Sequence, residues 1–417
     1  MSLLTPSHPA GRADQTLAHN MTLLAHHELA GFGGLGEGIA MQLADDGRRI
    51  LWLAHESAPK NFTGVDVTDP RAPRLVVQTE LPHMKVRSNS LDVSGNLMAV
   101  AYQVNQPGMQ PAGFDLFDIS RPEEPRLVSH FDCSGPWSRG VHCLWFVDGK
   151  TVHMASGAPD FQPHDPRDDQ LYRIVDVSDP ARPVEAGRWW LPGTRVGDAA
   201  PPPPRLPAPF DRGFRAHNTN VYPQRPDRAY VGYIDGGAVV LDISDVSDIR
   251  VVSHWNHSPP FNGFTHTVLP LFERNLWVVT DECVQDDGKD WPKLVWMLDA
   301  RSEANPIPIS TFPMPPLEAF SRRGGRFGAH NVHENLPLPM SFQSETLIVG
   351  TFFNGGVRVY DTTDPYRVEE VAYYVPGAPR LSPAGSIQLN DVFVDERRIV
   401  YTVDRFGGGL YILEMNL

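Results

Sequence analysis

One short phrase returns along almost the whole chain and constrains its fold more than any other feature. It consists of a β-branched strand, a D-x-[ST]-D-P turn and a second strand. The Asp and Ser/Thr side chains can cap the amides of such a turn, and Pro fixes its φ angle. The clearest copies are FTGVDVTDPRAPRLVVQTELP, FDLFDISRPEEPRLVSHFDCSG, YRIVDVSDPARPVEAGRWWLPG and AVVLDISDVSDIRVVSHWNHSPP. Such a chain is expected to stack similar supersecondary units.

Two further strand-like segments precede each phrase, for example GIAMQLAD and RRILWLAHE in the first repeat. Three or four short strands at a pitch of roughly 50 residues are typical of β-propeller blades. Six full repeats run from about Gly34 to Pro379, and the seventh, which begins SIQLNDVFVD, ends without its outer strand. The segment MTLLAHHELAG, from Met21, matches that missing strand. We therefore predict an all-β, seven-bladed β-propeller that the N-terminal strand closes, with residues 1–20 as a tail and 21–417 as one domain.

The turn sequences VDVTDP, FDISRP, VDVSDP, LDISD and YDTTDP resemble those of the LVIVD-repeat family of β-propellers. This resemblance covers nearly the whole chain and implies the propeller fold. It implies no activity, because propellers carry many unrelated functions.

The composition excludes several classes of protein. A formal net charge of −14 argues against nucleic-acid binding, which depends on clustered Lys and Arg. No apolar run reaches membrane-spanning length, and the N-terminus has no secretory signal pattern. Three cysteines, Cys133, Cys143 and Cys283, are too few for a disulfide framework, so we expect a cytoplasmic protein. Cys143 follows His142 and is predicted to be a buried thiol on the opposite strand face.

Each repeat has one polar residue at the same register of its first strand. In chain order these are Glu37, Asn89, His142, His217, His266, His330 and Asn390. The first strand of a blade is innermost, so these side chains are expected to line the central channel. A water-filled channel explains polar residues in general, but not four histidines in four consecutive blades. Because neutral imidazole is the commonest metal ligand, we predict a metal centre at His142, His217, His266 and His330.

Carboxylates close to these histidines have predicted roles as well. Glu37 and Asp391 are candidates for direct ligation or for acid–base catalysis, and Glu334 for a hydrogen bond that orients a ligand histidine. Four imidazoles without a thiolate suit Fe(II), which we favour, and also Zn(II), Mn(II) or copper. The layout is similar, in architecture alone, to the four-histidine iron centre of carotenoid-cleaving oxygenases, which are also seven-bladed propellers.

The long links of the chain enter first strands or leave second strands, and therefore emerge on one face of a propeller. Their aromatic residues, among them Trp137 and Phe264, predict a small hydrophobic or aromatic substrate. Three arginines lie two or three residues before channel positions and could bind a carboxylate. With the two channel asparagines they complete the predicted substrate-binding set: Arg87, Arg139, Arg215, Asn89 and Asn390.

Three functions are compatible with these features. The favoured one is a non-haem iron (or copper) oxygenase or related oxidoreductase. The second is a metal-assisted hydrolase, lyase or isomerase in which Glu37 or Asp391 moves protons. The third is a non-catalytic interaction propeller that holds a structural metal ion.

Overall fold

The computed structural model describes residues 12–417, which form seven antiparallel sheets arranged as blades around a central channel. In blades one to five the strands pair in chain order from the innermost strand outwards, and in blades six and seven the outermost strand comes from the N-terminal segment. First strands contact those of the neighbouring blades, including the contact between blade seven and blade one. The predicted all-β, seven-bladed β-propeller is therefore confirmed.

Blades one to four each place their strands in order from the channel outwards. Blade one comprises Leu35–Leu43, Arg49–His55, Lys60–Asp66 and Arg74–Glu80. Blade two has an interrupted first strand and comprises Val86–Arg87 with Leu91–Ser94, then Leu97–Val104, Gly113–Asp118 and Arg126–Asp132. Blade three comprises Val141–Trp145, Thr151–Ser156, Leu171–Asp176 and Val184–Trp189. Blade four comprises Thr219–Tyr222, Arg225–Gly232, Ala238–Asp242 and Arg250–Trp255.

The last three blades follow the same plan with two variations. Blade five comprises Thr265–Leu271, Leu276–Asp281, Val295–Asp299 and Ile307–Thr311. In blade six the innermost segment pairs through a single bridge, from Val332 to Gly350, ahead of Leu347–Thr351, Val357–Asp361 and Glu369–Val375. Blade seven comprises Leu389–Val394, Ile399–Asp404, Leu410–Met415 and the N-terminal strand Met21–His27. Two short helical turns, Leu29–Gly31 and Leu317–Phe320, lie in the links.

The N-terminal strand closes the ring as the sequence predicts. It pairs antiparallel with Leu410–Met415, in a register that runs from Met21 opposite Met415 to His27 opposite Leu410. Of the predicted tail, residues 1–11 lie outside the described residues. Leu17–His19 forms an additional outer strand on blade six, paired with Glu369–Val375. The N-terminal segment thus joins the last two blades.

The repeated turns owe their shape to local hydrogen bonds. In blade one, Asp66 Oδ1 accepts hydrogen bonds from Thr68 N at 3.0 Å and from Thr68 Oγ1 at 2.7 Å. Asp242 and Ser244 repeat both bonds in blade four. Because this chemistry needs only residues two positions apart, each copy of the phrase can form the same turn independently.

Apolar side chains fill the spaces between blades. Trp52 is fully buried between blades one and two, and its indole N–H donates to Gln42 Oε1 at 3.0 Å. Within residues 12–417, no helix has the length and apolar character needed to cross a bilayer. The rigid ring of packed blades leaves the first strands to shape the channel.

Candidate metal centre

The seven predicted channel residues all lie where the regular pairing of the first strand is interrupted. The pairing of first and second strands shifts register at Glu37, His142, His266 and Asn390, each of which occupies a β-bulge. Asn89 lies between the two segments of its strand, and His217 and His330 immediately precede the paired residues. A bulge turns a side chain away from simple alternation. The blades therefore use this irregular position to direct one polar side chain into the channel.

Glycine permits the approach of Glu37 to blade two. Glu37 N donates to Asn89 O at 2.6 Å. A Cβ on Gly36 would lie 2.5 Å from the same carbonyl oxygen, and one on Gly38 would lie 2.3 Å from Leu91 N. The G-E-G sequence is thus what lets the Glu37 carboxylate reach the channel between two closely packed blades.

Four imidazole Nε2 atoms surround the Glu37 carboxylate. Its Oε2 lies 3.9 Å from His142, 3.8 Å from His217 and 3.8 Å from His266. Its Oε1 lies 3.5 Å from His330 Nε2. The side chains are at most 13% exposed. The four predicted histidines and Glu37 are therefore brought together, in two groups of ligand atoms that share Glu37.

The outer nitrogen of each ring has a hydrogen-bond partner. His217 Nδ1 lies 2.9 Å from Asn218 Oδ1, His266 Nδ1 lies 2.8 Å from Thr267 Oγ1, and His330 Nδ1 donates to Asn390 O at 2.7 Å. His142 Nδ1 lies 3.1 Å from Gln103 Oε1 and 3.2 Å from Arg87 Nη2. These contacts fix the ring orientations and direct the Nε2 atoms towards the centre.

The arrangement fits a metal ion better than it fits hydrogen bonding. His217 Nδ1 faces the acceptor Asn218 Oδ1, so its Nε2 carries no proton and points at His142 Nε2, 2.8 Å away. Two imidazole nitrogens at this distance can be neighbouring ligands of one ion. Glu37 Oε2, His266 Nε2 and His330 Nε2 are buried without a hydrogen-bond partner. With metal–ligand bonds of about 2.1 Å, neighbouring ligand atoms lie about 3.0 Å apart and opposite ones about 4.2 Å apart. The Glu37–histidine distances of 3.5 to 3.9 Å fall within that range.

Burial and neighbouring charges shift the pKa values of the histidines and of Glu37. Burial, aided by neighbouring imidazoles, lowers the pKa of His142 and His266, and lowers that of His217 to about 4. Burial alone would raise the pKa of Glu37, but the contacts with His266, His330 and His217 outweigh it and hold this pKa well below its usual value. Burial thus favours the neutral form of His142, His217 and His266, and the imidazoles favour the ionised form of Glu37.

A second carboxylate, Glu282, joins the site from the end of the second strand of blade five. Its Oε1 lies 3.6 Å from His330 Nε2, and its Oε2 lies 4.0 Å from His217 Nε2. Burial would raise the pKa of Glu282, but His330 and Arg326 outweigh this effect and lower it to about 2. Glu282 is therefore a further candidate ligand.

Asp391 lies away from the histidines. Together with Glu37, Asp92, Cys143 and Glu334 it lines a cavity of only about 40 Å³ farther along the channel. Burial raises the pKa of Asp391 well above its usual value. Cys143 is a buried, unpaired thiol. Its predicted orientation is wrong, since the bulge at His142 turns Cys143 towards this cavity as well.

Glu334 reaches the centre through an amide. Its Oε1 accepts hydrogen bonds from Asn218 Nδ2 at 2.6 Å and from Asn220 Nδ2 at 2.9 Å. Because Asn218 Nδ2 donates to this carboxylate, its Oδ1 must face His217 Nδ1. Glu334 thereby fixes the amide that orients His217.

The predicted substrate-binding residues lie in different environments. Arg87 donates to Glu56 and Gln103, and its Nη2 lies 3.2 Å from His142 Nδ1. Arg139 and Arg215 approach the same carboxylate, Asp169, at 2.6 and 3.5 Å. These three arginines lie near the centre.

The asparagines and aromatic residues of the predicted substrate-binding set are less accessible to a ligand at the centre. Asn390 donates to Leu35 O and Gly36 O, and Asn89 is fully buried. Trp137 is exposed on the surface. Phe264 is buried, with its ring centroid 6.1 Å from that of His217. Of these residues, Phe264 packs behind the centre rather than lining its mouth.

Sequence reasoning missed Glu56, Glu282 and Arg405. All three directly follow the second strand of their blade, after Arg49–His55, Leu276–Asp281 and Ile399–Asp404. Comparing the ends of the second strands, as the first strands were compared, would have found them. Arg405 Nη1 lies 3.8 Å from Glu37 Oε1, and Arg405 Nη2 donates to Glu56 Oε1 at 2.6 Å.

Comparison with known families supports the repeat architecture. A family model of the LVIVD repeat matches residues 168–189 and 227–256, which include the turns of blades three and four. The molecule is thus a seven-bladed β-propeller that carries LVIVD repeats, as the turn sequences predicted. A search of curated proteins gives no match to this chain.

Proposed function

We propose that this propeller is a metal-dependent enzyme, a non-haem iron (or copper) oxygenase or related oxidoreductase, with its ion bound by His142, His217, His266, His330 and Glu37. The observation that carries the proposal is the set of inward-facing Nε2 atoms around Glu37, two of them 2.8 Å apart. Four imidazoles and a carboxylate without a thiolate suit Fe(II), with zinc, manganese or copper as alternatives. Such an ion would supply redox or Lewis-acid chemistry.

The surroundings favour oxygenase chemistry over hydrolysis, elimination or isomerisation. Those reactions would need Glu37 or Asp391 to transfer protons to and from a substrate. Glu37 is held among four histidines, and Asp391 borders a cavity with room for only one or two water molecules. Substrate reaches the centre from the other side, where larger cavities open between the links.

The three cysteines are all buried and unpaired, which agrees with the proposed cytoplasmic location. The aromatic residues of the links support the expected hydrophobic substrate weakly, since Phe161, Phe214, Phe320, Phe327 and Phe353 are buried among other side chains. The two larger cavities beside the centre are bordered by seven charged side chains: Glu56, Lys85, Arg87, Arg139, Asp286, Arg326 and Arg405.

Elemental analysis tests the proposal. We expect near-stoichiometric iron or copper in protein purified without added metal, and none in the double variant His217→Ala/His266→Ala. The matched control, His83→Ala/His130→Ala, changes two histidines outside the centre and should retain the metal. Oxygen uptake with candidate substrates should follow the metal content. Zinc or manganese without oxygen uptake would favour the hydrolytic alternative, and a protein that takes up none of these metals would refute the centre.

A further inference from the structure

Five arginines converge on the mouth above the metal centre. We call this set the arginine mouth; it consists of Arg87, Arg139, Arg215, Arg326 and Arg405. Arg405 and Arg326 contact the two central carboxylates directly, Arg326 through a 2.8 Å bond from Nη1 to Glu282 Oε1. The overall charge of the chain is −14, so a local concentration of guanidinium groups is unlike the rest of the molecule.

Two cavities lie at the arginine mouth. One, of about 320 Å³, is lined by residues that include Arg87, Gln103 and Arg139. The other, of about 690 Å³, is lined by residues that include Arg326, Arg405 and Phe406. Both are bordered by Glu56. A small molecule in either cavity would lie against guanidinium groups within a few ångströms of the metal ligands.

The contacts of Glu56 show that Arg87 and Arg405 are spaced to bind a carboxylate. Its Oε1 accepts from Arg87 Nη1 at 2.5 Å and from Arg405 Nη2 at 2.6 Å, whereas its Oε2 is buried without a partner. One carboxylate oxygen of blade one thus bridges two arginines from the blades on either side of it, blades two and seven. A substrate carboxylate that displaced Glu56 would find the same two donors beside the Glu37 and His142 ligands.

Arg215 adds a guanidinium that the protein itself satisfies poorly. Its contact with Asp169 is long, at 3.5 Å, and its Nε is buried without a hydrogen-bond partner. A buried guanidinium with only one long ion pair is poorly compensated, so an anionic ligand would gain from pairing with it.

The local charge balance also favours an anion. The mouth contains six cationic side chains, the arginine mouth and Lys85, against six acids, Glu37, Glu56, Asp169, Asp235, Glu282 and Asp286. A divalent ion would give the mouth an excess of positive charge. The neutral or purely hydrophobic ligand predicted from the link aromatics would leave that excess unpaired.

We propose that the substrate is a small organic acid whose carboxylate binds Arg87 and Arg405 in place of Glu56, with Arg215 as a further donor. The inference rests on the proposed function for the position of the metal ion. Recognition of the carboxylate itself depends on the arginines alone and is measurable without metal.

Calorimetry with paired probes tests the inference, on protein stripped of metal by a chelator and on protein as purified. We expect benzoate and succinate to bind at least tenfold more tightly than the uncharged benzamide and succinamide. Arg405→Gln and Arg215→Gln should each weaken carboxylate binding about tenfold or more. Arg250→Gln, which removes an exposed arginine from a turn far from the mouth, is the matched control and should change nothing. Glu56→Gln should strengthen carboxylate binding, because it removes the competing charge.

Several results would overturn the inference. These are equal binding of acids and amides, no binding of either acid, wild-type affinity in both arginine variants, or binding of inorganic phosphate alone. Circular dichroism and thermal unfolding identify any variant that fails to fold, and Arg405→Lys then replaces it, with the same weakening expected because Lys lacks the planar fork. The metal content of the protein as purified separates the two proposals. Carboxylate binding by protein that contains no metal as purified and takes up none refutes the oxygenase, and metal without carboxylate preference refutes the organic-acid substrate.

Discussion

Asn218 offers a direct test of how the centre is built, because one of its amide atoms orients His217 and the other is fixed by Glu334. Changing Asn218→Ala removes the acceptor for His217 Nδ1–H, a buried bond of 2.9 Å. Without it the ring can move its proton to Nε2, where it blocks the lone pair that a metal ion needs. Metal binding must then restore the original tautomer with Nδ1–H unpaired.

The structure sets the size of this effect. Leaving a buried donor unpaired costs about 1–3 kcal/mol. Since each 1.4 kcal/mol is a tenfold change, metal affinity should fall about 5- to 150-fold. The matched control is Asn220→Ala, which removes another hydrogen bond to Glu334, of 2.9 Å, but leaves the His217 contact in place. Its metal affinity should change by less than about threefold, the effect expected when no bond to a ligand is lost.

Competition against a chelator of known affinity, with Zn(II) in aerobic buffer and Fe(II) under nitrogen, measures both variants. Unchanged affinity in Asn218→Ala would show that the amide does not set the tautomer of His217. Equal weakening in Asn220→Ala would show that the effect comes from disturbance of Glu334 and not from the hydrogen bond to the ring.

Three further predictions concern the glycine next to Glu37, ring closure and the effect of acid. Gly36→Ala places a Cβ 2.5 Å from Asn89 O. The free energy of unfolding, measured by thermal unfolding, should therefore fall by about 1–3 kcal/mol, and chelator competition should show a lower metal affinity. Wild-type values of both quantities would show that the close approach does not need glycine. A chain that starts at residue 29 lacks the closing strand and its six paired positions, and should lose several kcal/mol of stability in urea relative to one that starts at residue 20, which lacks only the extra strand on blade six. Equal urea midpoints would show that blade seven needs no fourth strand. Burial lowers the pKa of His153 to about 4 from 6.5, so the unfolded chain binds more protons between these values, and the stabilisation present above pH 6.5 is lost as the pH falls towards 4. At pH 5 His153 should have cost about 2 kcal/mol of the free energy of unfolding. Urea titrations at pH 7 and pH 5 should therefore show a smaller loss of stability for His153→Phe than for the wild type. An equal loss in both proteins would show that other groups cause the pH dependence.

The fold was predictable because its information is local and repeated. Each blade carries its own turn, in which an Asp caps a residue two positions later, as Asp66 caps Thr68. The missing outer strand of blade seven and the unassigned strand at Met21 then left one way to close the ring.

The site was predictable only in part. The four histidines and Glu37 occupy one register, which comparison of the repeats finds. Strand alternation gave the wrong orientation for Cys143, because the bulge that directs His142 into the channel depends on pairing with the next strand. Glu282 and Arg405 follow second strands, where links of different lengths hide the equivalence between blades. Which side chains line the mouth is decided by the packing of those links.

The closing strand also determines when the proposed metal centre can form. During synthesis the segment that carries Glu37 leaves the ribosome early, whereas His330 is made after five blades are complete. The two side chains become neighbours only when blades seven and one meet, and that contact requires the C-terminal strand to pair with Met21–His27. An ion that needs both residues as ligands can therefore bind only after the ring has closed. Its binding free energy, about 2.7 kcal/mol at a hundredfold excess over Kd, is available only to the complete ring.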